Sequence, residues 1–485
     1  MTTPMRRPVL VYLALTITFG LAIVAALGRG RLLERDRAAA APSAVVASAG
    51  EVPTGVFSRL AHPLPRLLLQ LIVIVAAARL FGALFRRLGQ PPVIGEIVAG
   101  IALGPSLLGL VAPGSSAFLF EPASIGPLKL LAEIGVLLFL FGVGLELDPE
   151  RLKGKAQTAV LVSHASIVVP YALGVLLSLA LYRELAPPGV SFAPFALFIG
   201  IALSITAFPV LVRILRERGL SGTVLGNTAI TCAAVDDVTA WSLLAMVVAI
   251  AGARGFWAAA TTLLLALAFI ALMFAAAAPA LRRALARRTE REEPGSGAVA
   301  GVLVFVLASA LATEWIGIHA LFGAFLAGVV MPKARRFRDF LATRLEQFSS
   351  VLLLPVFFAF TGLRTRIGLL DDARSWAICG VIILVATLGK LGGTFFAARV
   401  TGMRPPDAFA LGALMNSRGL MELIALNVGY ELGILSPRIF AMMVLMALVT
   451  TLATGPLLSL ADRWRGESLA HRDGERVVVL PNQRS

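Results

Sequence analysis

The chain has little with which to cross-link itself, holding 2 cysteines in 485 residues. Both Cys232 and Cys379 fall inside long apolar runs, which excludes a disulfide framework and a cysteine zinc site. Histidine is scarce as well. His62, His164, His319 and His471 show no metal-ligand spacing and read as structural residues. Charged residues make up only 15% of the chain against 58% hydrophobic ones, and mean hydropathy is +0.87, which excludes a soluble globular domain. Acidic residues are in deficit, 28 against 43 basic ones, for a net charge of +15. The basic residues sit in short clusters between apolar runs instead of along one face, so membrane topology accounts for them and no nucleic-acid partner is expected. What remains is an all-α polytopic membrane protein surrounded by lipid.

The amino-terminal stretch, Met1 to Arg7, is short and basic. An apolar stretch from Pro8 to Leu27 and a polar, Ala-rich segment to Leu64 follow, a pattern that fits a cleaved signal peptide and a signal anchor alike. Residues 1–64 are thus set apart from a transmembrane domain over 65–463 and a short cytoplasmic tail over 464–485, with no nucleotide-binding or regulatory domain expected. Within the transmembrane domain, thirteen apolar segments approach the ~20 residues that a helix needs to cross a bilayer. They lie near 67–86, 92–111, 125–146, 157–182, 193–213, 223–251, 256–281, 298–315, 317–332, 348–366, 375–398, 406–430 and 437–461.

If the first segment runs inward, one set of loops receives Arg86, Arg87, Arg151, Lys153, Lys155, Arg213, Arg216, Arg218 and the clusters at 282–291 and 333–344. The opposite loops receive far fewer, chiefly Arg183, Arg254, Arg364, Arg366, Arg374 and Arg438. The positive-inside rule then places the carboxyl terminus in the cytoplasm, in a plasma membrane of bacterial inner-membrane type.

A faint inverted repeat runs through these spans. LFLFGVGLE (138–146) in span three aligns with VFFAFTGLR (356–364) in span ten, setting Gly144 against Gly362. IVAGIA (97–102) in span two aligns with FLAGVV (325–330) in span nine, setting Gly100 against Gly328. Both pairs stand seven spans apart and so cross in opposite directions, the usual architecture of secondary transporters.

Charge inside the apolar spans is the strongest functional signal. Asp236 and Asp237 occupy the run AAVDDVTAW (233–241) in span six. A carboxylate at the bilayer centre costs at least ~2.5–3.5 kcal/mol, so it needs a cation, a proton or a water-filled cavity. Helical neighbours point about 100° apart, so the two aspartates are expected to do different jobs. Lys390, within TLGKLGGT (387–394), is deep in span eleven and flanked by glycines that let helices approach closely, so it is expected to pair with Asp236 instead of snorkelling.

Two spans carry helix-breaking sequences. SITAFPVL (204–211) in span five holds Pro209, with Ser204 and Thr206 to offer hydroxyls to freed backbone groups. MNSRGLMEL (415–423) in span twelve places Asn416, Ser417, Arg418 and Glu422 in an apolar helix. Interrupted helices at corresponding places in two halves point to a midplane ion site. Arg418 and Glu422 are spaced i, i+4 and also fit a structural pair. Glu96 fits an access-route residue and a helix-dipole partner equally, Asp148 reads as a loop or cap residue, and Arg79 has no role in this pattern.

Six motifs in order, GQPPVIGEIVAGIALGPSLLG, LFLFGVGLELDP, SITAFPVLVRILRERGL, AAVDDVTAW, LGKLGGT and MNSRGLMELIALNVGYELGILS, resemble the monovalent cation:proton antiporter-2 family over about 65–460. The resemblance is to its Kef-type and plant cation/proton exchanger members. It implies a sodium/proton exchanger fold, a homodimer, and two broken helices crossing beside an ion-binding carboxylate. It further implies that Asp237 carries the transported Na+ or K+ and the proton, with Asp236 paired to Lys390 as in electrogenic relatives. Neither the nucleotide-binding domain of Kef-type members nor the long tail of the plant exchangers is expected, so control by nucleotide or glutathione is not expected either.

The resulting expectation is a secondary transporter, not an enzyme, that needs no cofactor and takes a monovalent cation and protons as its partners. Competition of the two ions for Asp237 would couple their movements. If Lys390 releases its proton when the cation binds Asp236 and Asp237, two protons exchange for one cation and transport is electrogenic. A channel-like K+ efflux protein using the same site is one alternative. Another is an intramembrane aspartyl protease, although its two carboxylates would have to face one another.

Overall fold

In the computed structural model of the chain, residues 14–15, 17–29, 62–146, 156–220, 223–252, 256–289, 296–332, 337–338, 340–341 and 349–476 are described, and every regular element among them is helical. In chain order these are α1 (Ile17–Arg29), α2 (Pro63–Arg87), α3 (Pro92–Leu103), α4 (Ile125–Glu146), α5 (Ala156–Leu185), α6 (Phe192–Ser204), α7 (Phe208–Glu217) and α8 (Val224–Gly252). There follow α9 (Phe256–Leu272), α10 (Ser296–Ile316), α11 (Ala320–Val329), α12 (Leu354–Arg364), α13 (Ala373–Val400), α14 (Pro405–Met415), α15 (Leu420–Glu431) and α16 (Pro437–Arg476). Short helices and turns link several of them, and α9 runs on through a π-helical turn at Met273–Ala277 into a further helical stretch, Ala278–Thr289. Of the amino-terminal stretch, only the part in α1 can be placed; residues 1–13 and 30–61, and Asp148 with them, lie outside the described residues.

Among the described residues, ten helices are long and apolar enough to cross a membrane. The sequence leads one to expect thirteen spans, and the three that fall short have physical reasons. Spans five and twelve are each broken in two, as α6 and α7 and as α14 and α15. Span nine shrinks to the 10 residues of α11, because Gly317 at φ 90° and His319 at φ 77° turn the chain sharply after α10. At the carboxyl-terminal end α16 continues unbroken past residue 464 to Arg476.

The helices sort into two bundles. One, the scaffold, packs α2 on α3, α3 on α12, α12 on α4, α4 on α11 and α11 on α10. The other, the core, packs α5 on α6, α8 and α13, with α14, α15 and α16 around them.

The repeat read from the sequence is built into the scaffold. Gly144 of α4 lies so close to α11 that a Cβ there would stand 2.2 Å from the Phe325 carbonyl, and one on Gly328 would stand 2.2 Å from the Phe141 carbonyl. The mirrored crossing has the same form: a Cβ on Gly362 of α12 would meet the Gly100 carbonyl carbon at 2.2 Å, and one on Gly100 would meet Ala359 Cα at 2.6 Å. Spans three and nine thus cross as spans ten and two do. Arg79, without a role in the sequence pattern, donates to the Val351 carbonyl at 3.2 Å and ties α2 to the approach to α12.

Candidate functional site

The two helix breaks face each other. In the first, residues 205–207 are extended between α6 and α7, whose second residue is Pro209. In the second, Asn416 to Gly419 separate α14 from α15. The Ala207 amide donates to the Ser417 carbonyl at 3.0 Å, and the Thr206 hydroxyl lies 3.0 Å from the Met415 carbonyl. Each break therefore supplies partners for backbone groups that the other leaves exposed in an apolar interior.

Asp236 lies beside this crossing, fully buried, and is surrounded by donors. Ser163 Oγ lies 2.5 Å from its Oδ1, and Ser166 Oγ lies 3.0 and 2.9 Å from its two oxygens. Thr206 Oγ1 is 2.7 Å and Lys390 Nζ 2.9 Å from Oδ2. Lys390, itself fully buried, also donates to the Ser204 carbonyl. The expected pairing is therefore present, and snorkelling is not. Gly389 and Gly393 make it possible, since α13 approaches α5 so closely that Cβ atoms there would press on Pro170, Val169 and the Ala165 carbonyl at about 3 Å.

Asp237 faces elsewhere. It is also buried, but it lines a small cavity with Ile205, Ala240, Trp241, Leu244 and Met421. One helical turn along the same face, Trp241 packs on Phe322 and Phe325 of α11, with ring centroids 5.4 and 6.2 Å away. Asp236 thus looks into the core bundle, and Asp237 toward the seam between core and scaffold. Such divergence on one helix does not form the facing dyad of an aspartyl protease.

Arg418 and Glu422 form a second fully buried pair, with Nη1 3.2 Å from Oε2. Arg418 also donates to the carbonyls of Ala202 at 2.6 Å and Leu203 at 2.5 Å. With Lys390 on Ser204, the last three carbonyls of α6 all meet cationic donors, which offsets both the lost helical bonds and the negative end of the half-helix dipole. The Arg418 amide donates to Thr451 Oγ1 at 3.0 Å, and the Thr451 hydroxyl reaches the Arg418 carbonyl at 2.8 Å.

All nine residues singled out in the sequence lie in or beside this crossing, although some act through atoms other than those expected. The Ser204 hydroxyl turns back to the Ile201 carbonyl and the Ser417 hydroxyl to the Leu414 carbonyl; both residues face the crossing with their backbone carbonyls. Asn416 is fully buried, and its side-chain amide has no hydrogen-bond partner among the described residues. Ser163 and Ser166 were missed. Their only signal is VSHAS (162–166), two serines one helical turn apart in span four. Glu96 lies apart, packed over Gly82 of α2 with Arg79 and Arg213 as neighbouring cations. His164 bonds the Val160 carbonyl of its own helix.

At one end of the seam the two bundles are stapled together. Arg364 Nη1 of α12 lies 3.0 Å from both Glu431 Oε1 and Asn427 Oδ1 of α15, and Lys129 Nζ of α4 lies 3.3 Å from the same Glu431 oxygen. Asn427 in turn donates to Thr361 of α12 at 2.8 Å.

With this geometry in hand, the chain can be compared with known proteins. It matches the family described as sodium/hydrogen exchanger, transmembrane, over residues 72–461. It is 46% identical over 394 residues to a Na(+)/H(+) antiporter of Synechocystis sp., an alignment that covers 81% of this chain and 96% of the relative. Cation/H(+) antiporter 17 of Arabidopsis thaliana is 42% identical over 434 residues, and K(+)/H(+) antiporter 1 of Saccharomyces cerevisiae is 34% identical over 406. Those alignments cover 88% and 82% of this chain but only 52% and 46% of the relatives, so the chain spans about half their length. The structure of a sodium proton antiporter from Methanocaldococcus jannaschii superimposes with a TM-score of 0.58 at 15% identity, covering 83% of this chain and 98% of that one. The fold is thus shared, with two crossed discontinuous helices and an inverted repeat.

Proposed function

The chain belongs to the sodium/hydrogen exchanger family, and from that premise we propose that it exchanges a monovalent cation, Na+ or K+, for protons by alternating access, with Asp237 as the exchange site. The observation that carries this reading is the divergence of the two aspartates. Asp236 is saturated by one lysine and three hydroxyls, whereas Asp237 borders a cavity beside the seam along which core and scaffold must slide. A bare carboxylate resists crossing an apolar barrier, and a bound proton or cation removes that resistance. Protons and cations then compete for one group, and competition alone couples their fluxes.

In this reading Lys390 and Asp236 set the charge moved per cycle. If Lys390 gives up its proton as the cation binds, two protons move against one cation and transport responds to membrane potential. Ser204, Thr206, Asn416 and Ser417 line the crossing, where backbone carbonyls and the Thr206 hydroxyl are available to a partly dehydrated cation. Arg418 and Glu422 hold the half-helices together. The staple through Glu431 closes the extracytoplasmic end of the seam and must open in each cycle. We place the carboxyl terminus in the cytoplasm, the protein in the plasma membrane and two chains in the working assembly.

The test is a driven-exchange assay in proteoliposomes. An imposed Na+ or K+ gradient should generate a pH gradient with the unaltered chain, and Asp237→Asn should abolish it. A variant that still acidifies or alkalinises the lumen at the unaltered rate would sink the assignment. Dissipative cation flux with no pH gradient would mark a channel instead.

A further inference from the structure

Ser163 and Ser166 have no step of their own in the transport reading above, yet they surround the buried carboxylate of Asp236. Both are fully buried, both lie on α5, and being three residues apart they present their hydroxyls on one helical face. They supply three of the contacts to Asp236 and, with Thr206, set three hydroxyl donors on one carboxylate. A serine hydroxyl buried in an apolar helix ordinarily bonds back to a carbonyl of its own helix, as Ser178 of α5 does at 2.8 Å from the Gly174 carbonyl. Ser163 and Ser166 point across to α8 instead.

We propose that Ser163 and Ser166 are positioning residues that keep Asp236 a carboxylate while Lys390 is without its proton, so that the proton released by the pair comes from Lys390. The inference deepens the antiport reading and rests on it. If Lys390 were the only donor to Asp236, its deprotonation would strand a buried negative charge, and that charge would recapture a proton at once. With three hydroxyls in place the carboxylate keeps donors whatever the state of the ammonium, because hydrogen bonds to an ionised acid favour that form. The hydroxyls cannot follow a transported ion, since each is anchored to its helix. Ser166 Oγ lies 3.4 Å from Lys390 Nζ as well, so it accepts from the ammonium while donating to the carboxylate. The other titratable or charged groups around the pair are Asp237 and Cys232 on α8, with Arg418 of the second break and Glu422 of α15 beyond Lys390. Apart from Lys390, the side-chain donors that face Asp236 are the two serines and Thr206.

The experiment uses the full chain in proteoliposomes, with Na+ and K+ as probes, and compares Ser163→Ala/Ser166→Ala with the unaltered protein across pH. Proton competition at the pair should strengthen, moving the acid limb of the exchange profile to higher pH by about one unit, a tenfold change in proton concentration. The apparent KM for the cation should rise about tenfold on that limb and stay unchanged at alkaline pH, where no proton competes. Ser163→Thr/Ser166→Thr should restore both. If the double variant does not survive purification, Ser163→Ala alone, which removes the 2.5 Å donor, should move the profile in the same direction by a smaller step. An alanine variant, double or single, with the unaltered profile and KM overturns the proposal while leaving antiport intact. An unaltered chain that performs no exchange overturns the antiport reading and this one with it.

Discussion

The protein buries two ion pairs about a helix crossing, and they differ in what their cations can do. Lys390 with Asp236, at 2.9 Å, and Arg418 with Glu422, at 3.2 Å, are all but fully excluded from the surface. Arginine holds its proton under all conditions in a protein, and its planar fork suits fixed multiple contacts. Arg418 uses that fork on two carbonyls of α6 and on Glu422, a permanent brace. Lysine can lose its proton once buried, and Lys390 sits where its partner has other donors to fall back on. One geometry thus gives a structural clamp and a candidate proton carrier, and the identity of the cation separates them.

Removing the brace should have the largest effect. Arg418→Met leaves the Glu422 charge buried without its partner and uncaps two carbonyls, for a loss of about 3–5 kcal/mol, visible as a marked fall in melting temperature in detergent. A variant as stable as the unaltered chain would show that the two pairs are not divided in this way. Lys390→Arg tests the other side. It keeps the charge and fixes the proton, so exchange should fall by at least about tenfold in the driven assay while stability drops only by the ~1–3 kcal/mol of overpacking. Retained electrogenic exchange would remove Lys390 as a proton carrier. Arg418→Lys should do the reverse, preserving exchange with a moderate loss of stability. The smallest effect on stability is expected at the staple, which lies at the rim of the seam and is partly exposed. Glu431→Gln should change it by under about 1 kcal/mol, since water screens such pairs. Its signature is instead a several-fold change in turnover, as the end of the seam opens more readily. Unchanged turnover would show that the staple does not limit the cycle.

Much of this was legible in the chain because the signals are local. Pro209 with the hydroxyls of Ser204 and Thr206 beside it, and the polar run Asn416 to Gly419, are local signals of a break, so both breaks were foreseeable, whereas Pro170 and Pro456 stand inside unbroken helices. The glycine pairs of the repeat were visible because close helix crossings tolerate almost no other residue. Span nine was overcounted for the opposite reason: hydropathy does not register a turn at His319, which shortens a helix without changing its composition. The serine hydroxyls that hold Asp236 were missed because a serine in an apolar span has the same local appearance whether it bonds its own helix, as Ser178 does, or a distant carboxylate.

By itself the sequence determined that the chain lives in a membrane, where its helices break, and which charges need compensation. Hydropathy, proline chemistry and the cost of burying charge all act at the residue that bears them. Only the tertiary structure decided which atoms meet. Lys390 finds Asp236 across 154 residues, and Arg418 finds the carbonyl of Ala202 across 216. The direction that separates Asp236 from Asp237 follows from the packing of α8 against α5 on one face and beside α11 on another. Such contacts depend on how whole helices approach one another, which no short stretch of sequence encodes.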